Sequence, residues 1–178
     1  MSAGRLQAEH GTIYAAPKDF LGYVGWPSVA RLEDGTLVAV ASGLRHRHVC
    51  PFGRTILCSS ADDGRTWTAP RVINDSPIDD RDAGVVALGG RRLLVTWFSS
   101  DTRRYYPPEK LEAFLEGLPE EHRAWWRAGM ARLSDAARER FEGAWLRLSE
   151  DGGGTWGPAV RCPLNAPHGP TRCRDGAL

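Results

Sequence analysis

The sequence predicts an all-β chain built from repeated four-stranded antiparallel units, with one helical insertion. An octet occurs twice, at residues 60–67 and 149–156, and both copies fit Ser-x-Asp-x-Gly-x-Thr-Trp. Ser60, Asp62, Gly64, Thr66 and Trp67 match Ser149, Asp151, Gly153, Thr155 and Trp156. The stretches leading into the octets repeat as well, each reading strand, glycine turn, apolar strand, loop, strand. An internal repeat decides the architecture before any single element does.

The octet has the physics of a turn. An Asp side chain accepts hydrogen bonds from backbone N–H groups a few residues on and closes a loop. Gly supplies a positive φ at little cost, and the Trp ring is a large apolar anchor. Each octet is therefore expected to be a structural hairpin tip, pinned by Asp and anchored by Trp.

In chain order, residues 27–33 alternate as a strand should, and Asp34-Gly35 is a hairpin signal. Residues 36–41 are apolar on both faces, which suits a sheet packed between two others. Residues 42–54 read as a polar loop, 55–60 as a third strand ending in the first octet, and 69–74 as a fourth. The order then recurs: a strand at 85–88, a turn at Gly89-Gly90, an apolar strand at 92–99, a third strand at 144–148 and a fourth near 160–164. From turn glycine to octet glycine the step is 29 residues in unit one (Gly35 to Gly64) and 63 in unit two (Gly90 to Gly153). The excess is an insertion at about 103–142 that reads as helix. Pro107, Pro108 and Pro119 suit first helical turns. Leu111, Phe114, Leu115 and Leu118, then Trp126, Met130, Leu133, Ala137 and Phe141, follow helical spacing and predict a packing face. A third unit opens at Gly169 and reaches Asp175-Gly176.

The chain has 178 residues and a net charge of +1, so it lacks the basic surplus of a nucleic-acid binder. No apolar run approaches the roughly 18 residues of a membrane span. The N-terminal stretch carries Arg5, Glu9 and His10 and no apolar core of a signal peptide, which predicts a cytoplasmic protein with Cys50, Cys58, Cys162 and Cys173 as free thiols.

The octets resemble the Asp-box, or BNR repeat, of the sialidase (neuraminidase) family, where it marks one hairpin tip in each blade of a six-bladed β-propeller. The resemblance implies a partial six-bladed sialidase-like propeller: blade one at about 27–74, blade two at about 83–164 around the insertion, and the start of blade three at about 169–178. A propeller closes with about 4–8 blades. Two blades and a stub therefore imply the N-terminal piece of a longer protein, inactive alone. The stretches at 26–31 (Trp-Pro-Ser-Val-Ala-Arg), 45–53, 79–84 (Asp-Asp-Arg-Asp-Ala-Gly) and 166–170 are similar to a bacterial branch of exo-α-sialidase type. The implied activity is a cofactor-independent glycoside hydrolase acting on a carbohydrate end. The alternative is a non-catalytic carbohydrate- or protein-binding propeller, since Asp-boxes also occur in non-hydrolases. The family uses an arginine triad, an acid/base Asp, and a Tyr nucleophile assisted by Glu. Its first triad Arg lies in Arg-Ile-Pro, where this chain has Gly25-Trp26-Pro27, and its acid/base Asp lies in the loop before the first Asp-box, where residues 43–54 contain none. The Tyr and the other arginines would come from later blades, beyond Leu178.

In an up-and-down blade the octets and the Asp-Gly turns share one end, and the second–third loops and blade connections share the other. That second end collects the polar candidates. Arg45 with its planar fork, His46 and His48 are candidate substrate binders, against a plain solvated loop as the competing reading. His46, His48 and Cys50 alternate as metal ligands could, but a fourth partner is not evident, so no metal is assigned. Asp79-Asp80-Arg81-Asp82, read as the connection into blade two, offers Asp80 and Asp82 as catalytic acids beside Arg81, against an ordinary charged turn. His168, held between Pro167 and Gly169-Pro170, is a further candidate substrate binder.

Overall fold

A computed structural model describes residues 8–165 and 167–178. Residues 1–7 of the N-terminal stretch read above, and Ala166 at the head of the His168 segment, lie outside the described residues. Eight strands form two antiparallel sheets in simple up-and-down order. The first holds β1 (Tyr23–Arg31), β2 (Leu37–Arg45), β3 (Arg54–Ser60) and β4 (Arg71–Asn74); the second holds β5 (Asp79–Gly89), β6 (Arg92–Ser100), β7 (Gly143–Ser149) and β8 (Val160–Cys162). The fold is a partial β-propeller of two blades.

The doubly apolar second strands explain the packing. One face of blade one (Val38, Val40, Leu57, Ile73) meets one face of blade two (Val85, Leu93, Val95, Trp97) in a single core, with Trp145 and Trp156 at its margin. The intervening residues of β2 and β3 point the other way. Backbone groups also join the blades: Asp80 N–H donates to the Gly53 carbonyl at 3.1 Å, and Val85 N–H to Ser28 Oγ at 3.2 Å.

The insertion comprises a 3-10 turn (Thr102–Arg104), α1 (Pro108–Glu116), α2 (Glu120–Ala131) and α3 (Asp135–Phe141). Pro107 and Pro119 stand at the N-caps of α1 and α2, and Ser134 caps α3 by accepting from the Ala137 N–H at 3.0 Å. The helical stripe is a packing face, but its partner is blade one. Trp126 and Leu115 are buried against Cys50 and Phe52 of the β2–β3 loop, while Leu133 and Ala137 cover Ile78.

Three boundaries differ most from the sequence reading. The first strand begins at Tyr23 rather than 27, and the second runs on to Arg45, into the stretch read as a loop. The acidic run 79–82 is not a connection but the first turnless stretch of β5, with Asp79, Asp80 and Arg81 paired to Ser100, Ser99 and Phe98. Residues 169–178 form no strand, yet their turn copies that of blade one. Leu32 N–H bonds Thr36 O at 2.9 Å and Gly35 N–H bonds Leu32 O at 3.0 Å; Cys173–Ala177 and Gly176–Cys173 do the same at 2.8 and 3.0 Å.

Candidate functional site

The Asp-box end is closed on itself. In the first box Ser60 Oγ donates to Asp62 Oδ1 at 2.8 Å, the Thr66 N–H donates to Oδ1 at 2.9 Å, and the Thr66 hydroxyl to Oδ2 at 2.6 Å. In the second, Ser149 and Thr155 give Asp151 the same three bonds at 2.8, 2.9 and 2.7 Å. Arg71 donates across the blade interface to the Gly153 carbonyl. Hydrogen bonds from Thr66 hold the Asp62 carboxyl down at about 2, and those from Thr155 hold Asp151 well below the ordinary range. These bonds satisfy the two carboxylates; the Trp67 indole N–H donates to the Gly64 carbonyl at 3.0 Å, whereas that of Trp156 is buried with no partner among the described residues. A depressed carboxyl adds stability that is present above its unfolded value and lost as pH falls through its folded one. Acid unfolding should therefore set in below about pH 4. Asp62→Ala should lower the midpoint of thermal unfolding at pH 7 and flatten that acid limb.

The opposite end divides into a buried frame and an open mouth. Arg45 is wholly buried, with Nη1 2.7 Å from Asp79 Oδ1 and Nη2 donating to Oδ2 at 2.8 Å. Its other hydrogens go to Ser42 Oγ and to the carbonyls of Asp80, His48 and Arg47. Arg81 Nη1 adds a second cation 3.2 Å from Asp79 Oδ2. Burial pushes the Asp79 carboxyl up, and the two guanidiniums oppose it. Gly53 is packed so tightly over this pair that a Cβ there would collide with Arg45 Nη1 and Asp79 Oδ1.

Asp80 is wholly buried too, in a separate knot. It accepts from Asn74 Nδ2 (2.7 Å), Ser76 N–H (2.9 Å), Ser76 Oγ (2.7 Å) and Ser99 Oγ (2.6 Å). Burial raises its carboxyl to about 6, against the bonds from Ser99 and Ser76. As folded here, Arg45 and Asp80 have no free face for a ligand, and both correct the sequence-based picture of a cluster open at the mouth. His46 is diverted as well. Its Nδ1 accepts from Trp126 Nε1 at 2.9 Å and its ring stacks on Phe20 at 4.5 Å, so it docks the insertion. Burial, then the charges of His122 and Arg47, lower its pKa. Cys50 is buried in the same aromatic cluster while His48 is exposed, so the alternating trio does not converge on a metal.

The mouth is marked by backbone geometry. Trp26, Asp82 and His168 have φ of +53°, +48° and +68°, a conformation non-glycine residues rarely take. They stand at matching places in three repeats: nine residues before Gly35, eight before Gly90 and eight before Gly176. In β1 and β5 the cause is a bulge. Three steps from Gly25 to Ser28 oppose two on β2, and three from Arg81 to Gly84 oppose two on β6. Bulges re-aim side chains, and left-handed non-glycine residues gather at functional sites. The third repeat is brought in by contact of Gly84 with Gly169, where a Cβ on either would strike the other's backbone.

Around these positions, the Arg81 guanidinium lies 5.1 Å from the Trp26 ring, and Arg81 Nη2 is 3.3 Å from His48 Nε2. His48 packs edge-on to Trp26 at 4.9 Å. Asp82 Oδ1 is buried with no hydrogen-bond partner among the described residues, and His168 is exposed. The structure thus brings together Trp26, His48 and Arg81, with Asp82 next to Arg81 in the bulge of β5 and His168 on the segment that touches Gly84. Trp26 was not among the sequence candidates. The signal that finds it is its positive φ, which nothing in Gly-Trp-Pro announces.

No protein-family model matches the chain, and no curated protein does. Among solved structures, a protein of unknown function from Dyadobacter fermentans superposes with a TM-score of 0.51 at 20% identity, over 83% of this chain and 38% of its own. The Hadza microbial sialidase Hz136 gives 0.47 at 14% identity, over 77% and 25%. The Trypanosoma rangeli sialidase, solved in complex with sialic acid, gives 0.42 at 19%, over 77% and 20%. The chain spans about two fifths of the first of these and a quarter or less of the others. At such identity, the likeness to the Dyadobacter protein is one of fold alone.

Proposed function

We propose that this chain supplies part of the substrate-binding mouth of a sialidase-like glycoside hydrolase of exo-α-sialidase type. In this reading Asp82 exchanges a proton with the leaving-group oxygen, and Arg81, His48 and His168 bind the sugar. The supporting observation is the unpartnered Asp82 Oδ1, held at φ +48° in a bulge beside Arg81. A general acid needs a carboxyl within hydrogen-bond reach of the reacting oxygen. Asp80 is spent on four hydrogen bonds and Asp79 faces two guanidiniums, which leaves Asp82 as the acid of the cluster with no ion pair among the described residues.

The test uses the whole gene product and a panel of aryl glycosides that includes an aryl sialoside. Asp82→Asn should lower kcat about 100-fold or more, the usual scale for a lost acid/base, with the unfolding midpoint unchanged. Near-normal turnover by this variant would refute the assignment. The second reading, a non-catalytic carbohydrate-binding propeller, is favoured by Gly25 in the family's arginine place and by the closure of Arg45 on Asp79. It predicts saturable glycan binding by the wild type with no turnover on any substrate of the panel.

A further inference from the structure

A second concavity lies away from the Trp26–Asp82 mouth, between the outer parts of the two blades. It encloses about 300 Å³ between the end of β4, the strands β6 and β7, and the end of α3, lined by Asn74, Trp97, Arg140, Phe141, Trp145 and Arg147. Small-molecule sites start at about this size. We infer that this cleft binds a small ring-bearing carboxylate, held by the Arg147 and Arg140 guanidiniums and the Trp97 indole N–H.

The argument is one of unmet donors. Trp97 is 3% exposed, and its Nε1–H has no partner among the described residues. Arg147 spends Nη1 on the Ile73 carbonyl at 2.7 Å, while its buried Nε has no partner. A buried donor left unpaired costs folding free energy. Arg140 forms no ion pair among the described residues, and its guanidinium sits 5.2 Å from the Phe141 ring. The carboxylate at the rim, Asp75, already faces Arg54 at 3.0 Å and Arg132 at 3.7 Å. On the floor, Ser76 and Ser99 spend their hydroxyl hydrogens on buried Asp80, and Asn74 spends one of its two amide hydrogens there. The cleft therefore offers positive charge and unmet N–H groups, while its carboxylate, Asp75, is already held by two arginines. Its complement is an anion that only accepts. A guanidinium edge fits a planar carboxylate, and the walls formed by Trp97, Trp145 and Phe141 suit a ring as the ligand's body. A sugar acid and an aromatic acid share this chemistry.

Calorimetric titration of the protein with glucuronate, benzoate and neutral glucose separates the sources. Saturable millimolar or tighter binding is expected for glucuronate, for benzoate or for both, and not for glucose. Arg147→Gln and Arg140→Ser should each weaken it about tenfold or more, as loss of a charged hydrogen-bond partner does, and Asp82→Asn should leave it unchanged. Arg140 is exposed, so its variant reports even if Arg147→Gln folds poorly. The inference fails if neither acid binds saturably, if glucose binds as well as the acids, if both arginine variants bind like the wild type, or if Asp82→Asn abolishes binding. The donors would then be met by water.

Discussion

Asp79→Ala should cost about 3–5 kcal/mol of folding stability, the scale for removing one partner of a buried ion pair. The loss is large against the roughly 5–15 kcal/mol of an ordinary domain. Arg45 is wholly enclosed and Arg81 is 7% exposed, so the substitution leaves two cations facing each other with the shared anion gone. A guanidinium cannot shed its proton to escape. Removing charge on both sides should cost less. Asp79→Leu combined with Arg45→Met should recover part of the loss, because apolar groups replace the enclosed pair and only Arg81 is left without its anion. Urea unfolding of the single and double variants checks both. Equal stability for the wild type and Asp79→Ala would mean that the pair is not closed as described.

Asp80 should give the opposite sign. Its carboxyl is raised to about 6 from the ordinary 3.8, so the folded state takes up a proton where the unfolded state does not. This contribution is fully present below the unfolded value and is lost as pH rises through the folded one. Stability should therefore climb as pH falls from 7 towards 4, by on the order of 2–3 kcal/mol from this group. Below that the Asp-boxes reverse the trend. Asp80→Asn should remove the Asp80 share of the climb, leaving what the raised Asp79 carboxyl contributes, and leave the protein at pH 8 as stable as the wild type or more so. The geometry permits the swap. An amide oxygen in place of Oδ2 accepts from Asn74 and the Ser76 N–H, and the amide nitrogen donates to the two serine hydroxyls, which can turn. Asp80→Ala leaves the buried Ser76 N–H and Asn74 amide short of an acceptor and should destabilise at every pH. Thermal unfolding from pH 4 to 8 separates the two variants.

The repeat was legible because turns write themselves locally. Ser, Asp, Gly and Thr of each octet bond one another within seven residues, and the pattern survives translation from sequence to structure almost atom for atom. The apolar second strands and the helical stripe were legible for a similar reason, since periodicity reports which face is buried. The run 79–82 misled because four polar residues in a row read as a loop. Their burial depends on Arg45, 34 residues earlier, and on Ser99, 19 residues later. His46 and His48 read as neighbours on one face because a strand alternates. However, β2 ends at Arg45, and Leu44 takes φ +53° just before it, so the alternation lapses. The left-handed positions of Trp26, Asp82 and His168 were invisible for a simpler reason. Propensity disfavours that conformation for these residue types, and only the bulges and blade contacts around them impose it.

The central claim is that the acidic run splits into a closed frame, Asp79 and Asp80, and a half-buried group outside that frame, Asp82. Carbodiimide labelling of carboxyl groups on the folded protein, read residue by residue by mass spectrometry, measures that split without any assumption about substrate. The account predicts that Asp82 is modified while Asp79 and Asp80 stay protected until the protein is unfolded in urea, where all three react. Modification of Asp80 in the folded protein as fast as Asp82 would contradict it.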